Sequence, residues 1–126
     1  MPAQYILGDQ EVAGETLDDR VARAATGLHQ QGIGAGDAVA WLLRNDIAVF
    51  EATAAAQLLG AYVVPINWHF SAEEAAYILQ DSGAKALIAH ADLLAKLTDE
   101  LPEELLVLVV PTPEPVAAAY NLAPEI

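Results

Sequence analysis

One strand–helix–strand unit, residues 60–86, constrains the fold of this chain more than any other part of the sequence. It opens with the apolar run Tyr62–Ile66, which is typical of a strand covered on both faces. Ser71 and Glu74 then form the pattern of a capping box, in which each side chain binds a backbone N–H at the start of a helix. A second apolar run follows at Ala86–Ala89. Two strands joined by a helix of this length predict parallel pairing in an α/β sheet.

The strand and helix patterns alternate in the same way along the rest of the chain. Residues 38–43 and Leu105–Val110 are further short apolar runs and predict two more strands. Apolar residues at helical spacing predict a helix beginning at Thr16 and a second one, capped by Asn45, that runs to about Leu59. Because the second helix is apolar nearly all round, we expect it to lie between two layers.

The two ends of the chain carry weaker patterns. Ala3–Leu7 and Glu11–Ala13 flank a glycine-containing turn at residues 8–10 and predict a short hairpin. Asp92–Leu97 predicts a short fourth helix. The tail, residues 111–126, is rich in proline and is interpreted as a linker followed by a short helix over residues 116–120.

These patterns define the predicted fold class. We expect an α/β protein, a three-layer sandwich with a mainly parallel sheet of about four strands, plus the short N-terminal hairpin. The length of 126 residues suits a single domain over residues 1–126.

The amino-acid composition excludes several classes of function. The chain has no cysteine, which excludes a disulfide framework and a thiol nucleophile. Its net charge of −13 includes five basic residues, too few for a nucleic-acid surface, so no nucleic-acid partner is expected. No apolar run is long enough for a membrane span, and the N-terminus lacks the pattern of a signal peptide. We therefore expect a cytoplasmic protein.

Polar and aromatic side chains follow the predicted strands, where open parallel sheets bind ligands. Beyond the strand ends lie Arg44, Asn45 and Asp46, then Asn67, Trp68, His69 and Phe70, then His90 and Asp92. The second set is the richest, because it combines an amide, an indole and an imidazole in one loop. Two interpretations stay open: the loop stacks on a base or holds a phosphate, or its aromatic rings only cover the sheet edge.

Other candidate motifs are weaker. The glycines of residues 32–36 follow a helix and precede a strand, the reverse of a dinucleotide-binding fingerprint, and predict a turn. His29, His69 and His90 are too scattered for a metal site, so none is expected. No serine lies in a Gly-x-Ser-x-Gly nucleophile elbow, and the strand ends lack the acids of a phosphoacceptor receiver domain. No catalytic residue is predicted in this chain.

An ordered set of short segments over about residues 15–120 resembles a known family. The segments are Thr16-Leu17, Gly36-Asp37-Ala38-Val39-Ala40, Leu59-Gly60-Ala61, Pro65-Ile66-Asn67-Trp68, Glu73-Glu74-Ala75-Ala76-Tyr77-Ile78-Leu79 and Asp81-Ser82-Gly83-Ala84-Lys85. In order and spacing they are similar to the N-terminal subdomain of bacterial acyl-CoA synthetases, acid–CoA ligases of the adenylate-forming (AMP-binding) family.

The resemblance implies an activity for the full-length enzyme. Such ligases join a carboxylic acid to ATP with Mg, release pyrophosphate, and pass the acyl group from the adenylate to coenzyme A. In the family, the phosphate-binding loop, the adenine and ribose contacts and the C-terminal lid with its catalytic lysine all lie downstream of the matched region. We therefore expect this chain alone to be inactive in adenylation and to bind no cofactor strongly.

One cofactor contact carries over by resemblance. In several family members an arginine follows the Asn-x pair after the second strand and touches a phosphate of coenzyme A. Here Asn67-Trp68 is followed by His69, so Trp68 and His69 are the candidate coenzyme A contacts. Histidine can replace arginine as a cation or as a neutral donor.

Two hypotheses for the function remain open. The first is an N-terminal fragment of an acyl-CoA synthetase, and the second is a free-standing, non-catalytic α/β interaction module. In a full ligase this subdomain packs on another, so the separated chain is expected to self-associate through apolar surface that is normally covered. The acid substrate cannot be read from this segment.

Overall fold

The strands and helices alternate as the sequence predicts. The computed structural model describes residues 4–7, 10–97 and 101–119. In chain order its elements are β1 (Gln4–Leu7), β2 (Gln10–Ala13), α1 (Gly14–Gln30), β3 (Ala38–Leu42), α2 (Ile47–Leu58), β4 (Tyr62–Pro65), α3 (Ala72–Ser82), β5 (Ala86–His90), α4 (Ala91–Ala95), β6 (Leu106–Val110) and α5 (Glu114–Ala119).

The main sheet has four parallel strands in the order β4-β3-β5-β6, and β1 and β2 form a separate antiparallel pair. This confirms the predicted α/β class, the parallel sheet of four strands and the hairpin. The tip of the hairpin, residues 8 and 9, and the end of the tail, residues 120–126, lie outside the described residues.

Alternation along the strands divides the core between the two faces of the sheet. Val39 and Ile88 pack with the inward residues of α1 and α2 on one face. Ala40 and Leu87 pack with residues of α3 and α4 on the other. Neighbouring residues of a strand point to opposite faces, so both faces of β3 and β5 are covered and the molecule has three layers.

The starts of several helices differ from the sequence predictions; α4 begins at Ala91 rather than Asp92, and α5 begins at Glu114 rather than at residue 116. Helix α1 begins at Gly14, directly after β2, and Ala13 at its N-cap makes no side-chain hydrogen bond, so the predicted start at Thr16 is two residues late. Helix α2 is capped by Asp46 and not by Asn45: the Asp46 Oδ1 atom accepts a hydrogen bond from the Ile47 N–H at 2.8 Å. The capping box of Ser71 and Glu74 at α3 is present as predicted.

The packing of α2 also differs from expectation. Ala55 and Ala56 are fully buried against the sheet and α1, but Phe50 is 47% and Leu58 is 65% exposed. The helix is therefore covered on one side only. The described helices include none that combines the length and the apolar character needed to cross a bilayer.

Candidate functional site

The carboxyl ends of the sheet's strands form the candidate site, and the strand order determines which residues meet there. Because β3 lies between β4 and β5, the residues after β3 can contact the ends of both neighbours. The chain leaves β3 toward β4 and then crosses to β5, so β3 and β5 flank the point where the strand order reverses. In open parallel sheets that point is the usual ligand crevice.

Here the crevice between β3 and β5 is filled by side chains, and His90 is the central one. The His90 ring is fully buried. Its Nδ1 atom accepts a hydrogen bond from the Arg44 backbone N–H at 3.0 Å, and its Nε2 atom lies 3.0 Å from Asp46 Oδ2. Since Nδ1 is an acceptor, the proton is on Nε2 and is donated to Asp46. This is the neutral Nε2–H tautomer.

Asp92 holds the other side of the same cluster. Its Oδ2 atom pairs with Arg44 Nη2 at 2.5 Å, and its Oδ1 atom accepts a hydrogen bond from the Thr112 hydroxyl at 3.0 Å. Burial by itself raises the pKa of Asp92, but the hydrogen bonds from Arg44 and Thr112 and the positive charge of Arg44 outweigh it. The pKa therefore lies below its ordinary value, and Asp92 is an anion at neutral pH.

The loop after β4 rests on this cluster. The Arg44 guanidinium carbon lies 4.7 Å from the centroid of the Trp68 ring, a cation–π contact. The His69 ring stacks on Trp68 with centroids 3.7 Å apart and an angle of 30° between the planes. The Asn67 Oδ1 atom accepts a hydrogen bond from the His69 N–H at 2.9 Å, which closes the turn.

The residue set after β3 connects the sets after β4 and β5. Arg44 contacts both Trp68 and Asp92, and His69 is an exposed member of the stack. A cavity of about 340 Å³ lies beside the stack. The other predicted polar and aromatic residues, Asn45, Asn67 and Phe70, line it together with Trp41, Leu43, Pro65, Ile66 and Trp68.

Sequence reasoning missed Thr112 and the pairing of Asp46 with His90. Thr112 lies in the proline-rich segment that was interpreted as a linker, yet it anchors that segment to Asp92. The available signal was a lone hydroxyl two residues after the end of the last strand. The Asp46–His90 pair needed the knowledge that β3 and β5 are neighbours.

The glycines of residues 32–36 form the turn from α1 to β3, as predicted. Gly32 and Gly36 have φ values of 92° and 84°, which favour glycine. Asp37 Oδ2 accepts a hydrogen bond from the Gly34 N–H at 2.9 Å. That bond, with the charge of Lys85, lowers the pKa of Asp37 against a smaller effect of burial. The turn lies at the amino ends of the strands, away from the candidate site.

The described residues offer few unpaired basic side chains for a nucleoside triphosphate and few clustered ligands for a metal. All five Lys and Arg residues are in the described part, and four form ion pairs with carboxylates: Arg20, Arg23, Arg44 and Lys85. Within the same residues, His, Asp and Glu side chains form no group of three that could hold a metal ion. His69, exposed on the stack, offers a ring nitrogen that can donate a hydrogen bond to an anion.

Comparison with known proteins gives the family. The chain matches the AMP-binding enzyme family over residues 3–124. It is 42% identical over 84 residues to feruloyl-CoA synthase of Amycolatopsis sp, covering 64% of this chain and 17% of that protein. It is 30% identical over 108 residues to a medium/long-chain fatty acid–CoA and 3-oxocholest-4-en-26-oate–CoA ligase of Mycobacterium marinum, covering 83% and 20%.

The fold is also that of solved ligases. A benzoate CoA ligase from Burkholderia xenovorans superposes with a TM-score of 0.78 at 23% identity, covering 84% of this chain and 22% of that one. Coronafacic acid ligase from Pectobacterium brasiliense, in its R395G form, gives 0.80 at 22% identity, covering 86% and 22%. The chain belongs to the AMP-binding family of adenylate-forming enzymes. It spans about a fifth of the length of the curated relatives that it matches.

Proposed function

We propose that this chain is the N-terminal part of an ATP-dependent acid–CoA ligase and that it contributes a coenzyme A contact without being competent for adenylation by itself. The observation that carries the proposal is the family match over residues 3–124, combined with acid–CoA ligase relatives of which the matched segment makes up 17% and 20%. Residues 1–126 are proposed to act as one structural unit in that enzyme, with the proline-rich tail from residue 111 as a linker.

The pairing of the Lys and Arg side chains supports the proposal that adenylate formation takes place in other parts of the enzyme. Adenylate formation neutralises a triphosphate, with Mg and basic groups supplied around it. Four of the five Lys and Arg side chains here are already paired with carboxylates, so this unit has little positive charge to offer ATP. In the full-length enzyme ATP, Mg and coenzyme A are proposed to be bound largely by the other parts.

The contribution of this chain is proposed at Trp68 and His69. The His69 ring is exposed and is held by stacking on Trp68, so its N–H can donate to a phosphate at the surface with little ordering cost. Compared with the arginine that the family resemblance implies at this position, histidine gives a single donor in place of a two-pronged one. We also propose a cytoplasmic location, because ATP and coenzyme A, the cosubstrates of the proposed ligase, are available there.

The test of the main proposal is pyrophosphate release. The purified 126-residue protein, mixed with ATP, Mg and a panel of fatty and aromatic acids, is expected to release no more pyrophosphate than a protein-free blank. Acid-dependent turnover above the blank, which co-elutes with the protein, would contradict the proposed division of chemistry.

The coenzyme A contact is tested separately by following amide and histidine-ring NMR shifts during titration with coenzyme A. The expected shifts centre on Trp68 and His69, weaken in His69→Ala and strengthen in His69→Arg. His29→Ala is the matched control, because His29 is also exposed but lies in the last turn of α1, which leads to the amino end of β3. Equal responses of the two alanine variants would rule out the contact.

We also propose that the separated chain self-associates through apolar surface that the rest of the ligase would cover, and one observation supports this. Strand β6 is an edge of the sheet, and its Leu108 and Val109 are 36% and 56% exposed. Beside it, an apolar groove of about 600 Å³ is formed by α1, α2 and β6. Exposed apolar edge strands favour association.

A further inference from the structure

One buried titratable side chain has no part in the proposed coenzyme A contact. His90 is fully buried at the end of β5, and its two ring nitrogens are both engaged. Burying an imidazole is unfavourable unless it is hydrogen-bonded, and an aliphatic side chain would fill this place at lower cost. The question is what the two hydrogen bonds hold in position.

The group that His90 holds is the Arg44 backbone. Arg44 lies two residues beyond Leu42, the last residue of β3. The His90 Nδ1 atom accepts a hydrogen bond from the Arg44 backbone N–H at 3.0 Å. The opposite ring nitrogen is fixed by Asp46, which is itself fixed as the N-cap of α2. The ring therefore joins the end of β5 to the segment between β3 and α2.

The Arg44 side chain carries this constraint to the loop after β4. Its guanidinium is paired with Asp92 and lies over Trp68, on which His69 stacks. With its backbone held by His90 and its side chain held by Asp92, Arg44 is fixed at both ends. The ring of Trp68 therefore contacts the Arg44 guanidinium, and Arg44 is held by His90 and Asp92 at the end of β5.

We propose that His90 is a positioning residue: by accepting the Arg44 N–H, it holds the Arg44 guanidinium against Trp68 and so keeps His69 stacked in the orientation proposed to meet coenzyme A. The part concerning coenzyme A rests on the proposed function, whereas the positioning of the stack does not. The competing role for His90 is simple packing, in which the ring only fills space between β3 and β5.

The native protein gives the first test. Long-range nitrogen–proton NMR of the histidine rings at neutral pH is expected to show His90 protonated at Nε2 and bare at Nδ1, with a scalar coupling across the hydrogen bond to the Arg44 amide nitrogen. The His69 ring protons are expected upfield of an unstacked histidine because they lie over Trp68. A His90 protonated at Nδ1, or the absence of that coupling, would overturn the proposal.

Two substitutions separate positioning from packing. In His90→Asn the amide oxygen stands near the place of Nδ1 and retains the acceptor for Arg44, while the donor to Asp46 is lost. In His90→Gln the amide reaches the place of Nε2 and retains the donor, while the acceptor is lost. Both remove ring volume, so both lower stability, which urea unfolding measures.

The proposal predicts different outcomes for the stack. His90→Gln is expected to lose the upfield shift of the His69 ring protons, as Arg44→Ala does, and His90→Asn to retain it. If both variants retain the shift, or both lose it, His90 is a packing residue and the proposal is wrong. If neither variant folds, the coupling measured in the native protein decides.

This experiment contains no coenzyme A, so its result is independent of the proposed function. Loss of the stack in His90→Gln together with an unchanged coenzyme A titration would sustain the positioning role and contradict the coenzyme A contact.

Discussion

At the scale of single residues, Arg44 connects the ends of β3, β4 and β5 through different atoms. Its N–H meets His90, its guanidinium pairs with Asp92, and the same group lies over Trp68. The side chains of Arg44 and Asp92 are only 14% and 6% exposed, so each charge depends on the other for its partner. Removing one partner of a buried pair leaves an uncompensated charge.

Asp92→Asn is therefore expected to lower the free energy of unfolding by about 3 kcal/mol, measured by urea denaturation at pH 7. Asp19→Asn is the matched control, because the Asp19–Arg23 pair is largely exposed and its loss is expected to cost less than about 0.5 kcal/mol. Equal effects of the two substitutions would contradict a buried role for the Arg44–Asp92 pair.

The same pair predicts a dependence on pH. Because the pKa of Asp92 is lower in the folded protein than in the unfolded chain, its ionisation stabilises the fold fully above the ordinary carboxyl pKa. That contribution is lost as the pH falls through the lowered pKa. The difference in stability between the native protein and Asp92→Asn is expected to shrink below about pH 4. A difference that stays constant on acidification would show that Asp92 has an ordinary pKa.

At the scale of elements, the local patterns predicted most of the fold. Apolar runs gave the strands of the main sheet, and the box of Ser71 and Glu74 gave the start of α3. The predicted N-cap of α2 was wrong, because a tertiary contact determines which of two adjacent residues caps the helix. Asn45 and Asp46 are both good N-caps by type, and Asp46 takes the position because its second oxygen also pairs with His90.

Much of the candidate site could be assigned to strand ends, but its contacts could not. The sequence places Arg44, His90 and Asp92 after their strands without giving the order of the strands in the sheet. Only the order β4-β3-β5-β6 makes Arg44 a neighbour of both Trp68 and Asp92. The hydroxyl of Thr112 was overlooked because a proline-rich segment suggests a linker rather than an anchored turn.

The capping box gives a prediction at this scale. Ser71 Oγ accepts a hydrogen bond from the Glu74 N–H at 3.2 Å, and Glu74 Oε1 accepts one from the Ser71 N–H at 3.1 Å. Ser71→Ala removes the first acceptor and is expected to lower the free energy of unfolding by about 1 kcal/mol in urea denaturation. Ser71→Asp retains a capping oxygen and is expected to stay near the native value, and a loss in both variants would argue against capping as the cause.

At the scale of the whole molecule, the uncovered surface beside β6 predicts self-association of the isolated chain. Leu108 is 36% exposed on an edge strand and lines the adjacent apolar groove. Sedimentation velocity is expected to show a concentration-dependent dimer or larger species, reduced in Leu108→Lys. Tyr62→Lys is the control at the opposite edge, where Tyr62 is 69% exposed at the start of β4. A monomer at all concentrations would favour an independent domain with no missing neighbour.

If this chain is the N-terminal part of an acid–CoA ligase, it can take the place of the corresponding part of a working ligase. The most direct test is a hybrid in which the matching 84 residues of the Amycolatopsis feruloyl-CoA synthase, 42% identical, are replaced by those of this chain. With ferulate, ATP, Mg and coenzyme A, the folded hybrid is expected to form the thioester, and the same enzyme lacking the segment is expected to form none. A hybrid that folds, as judged by circular dichroism and gel filtration, but forms no thioester would contradict the proposed function.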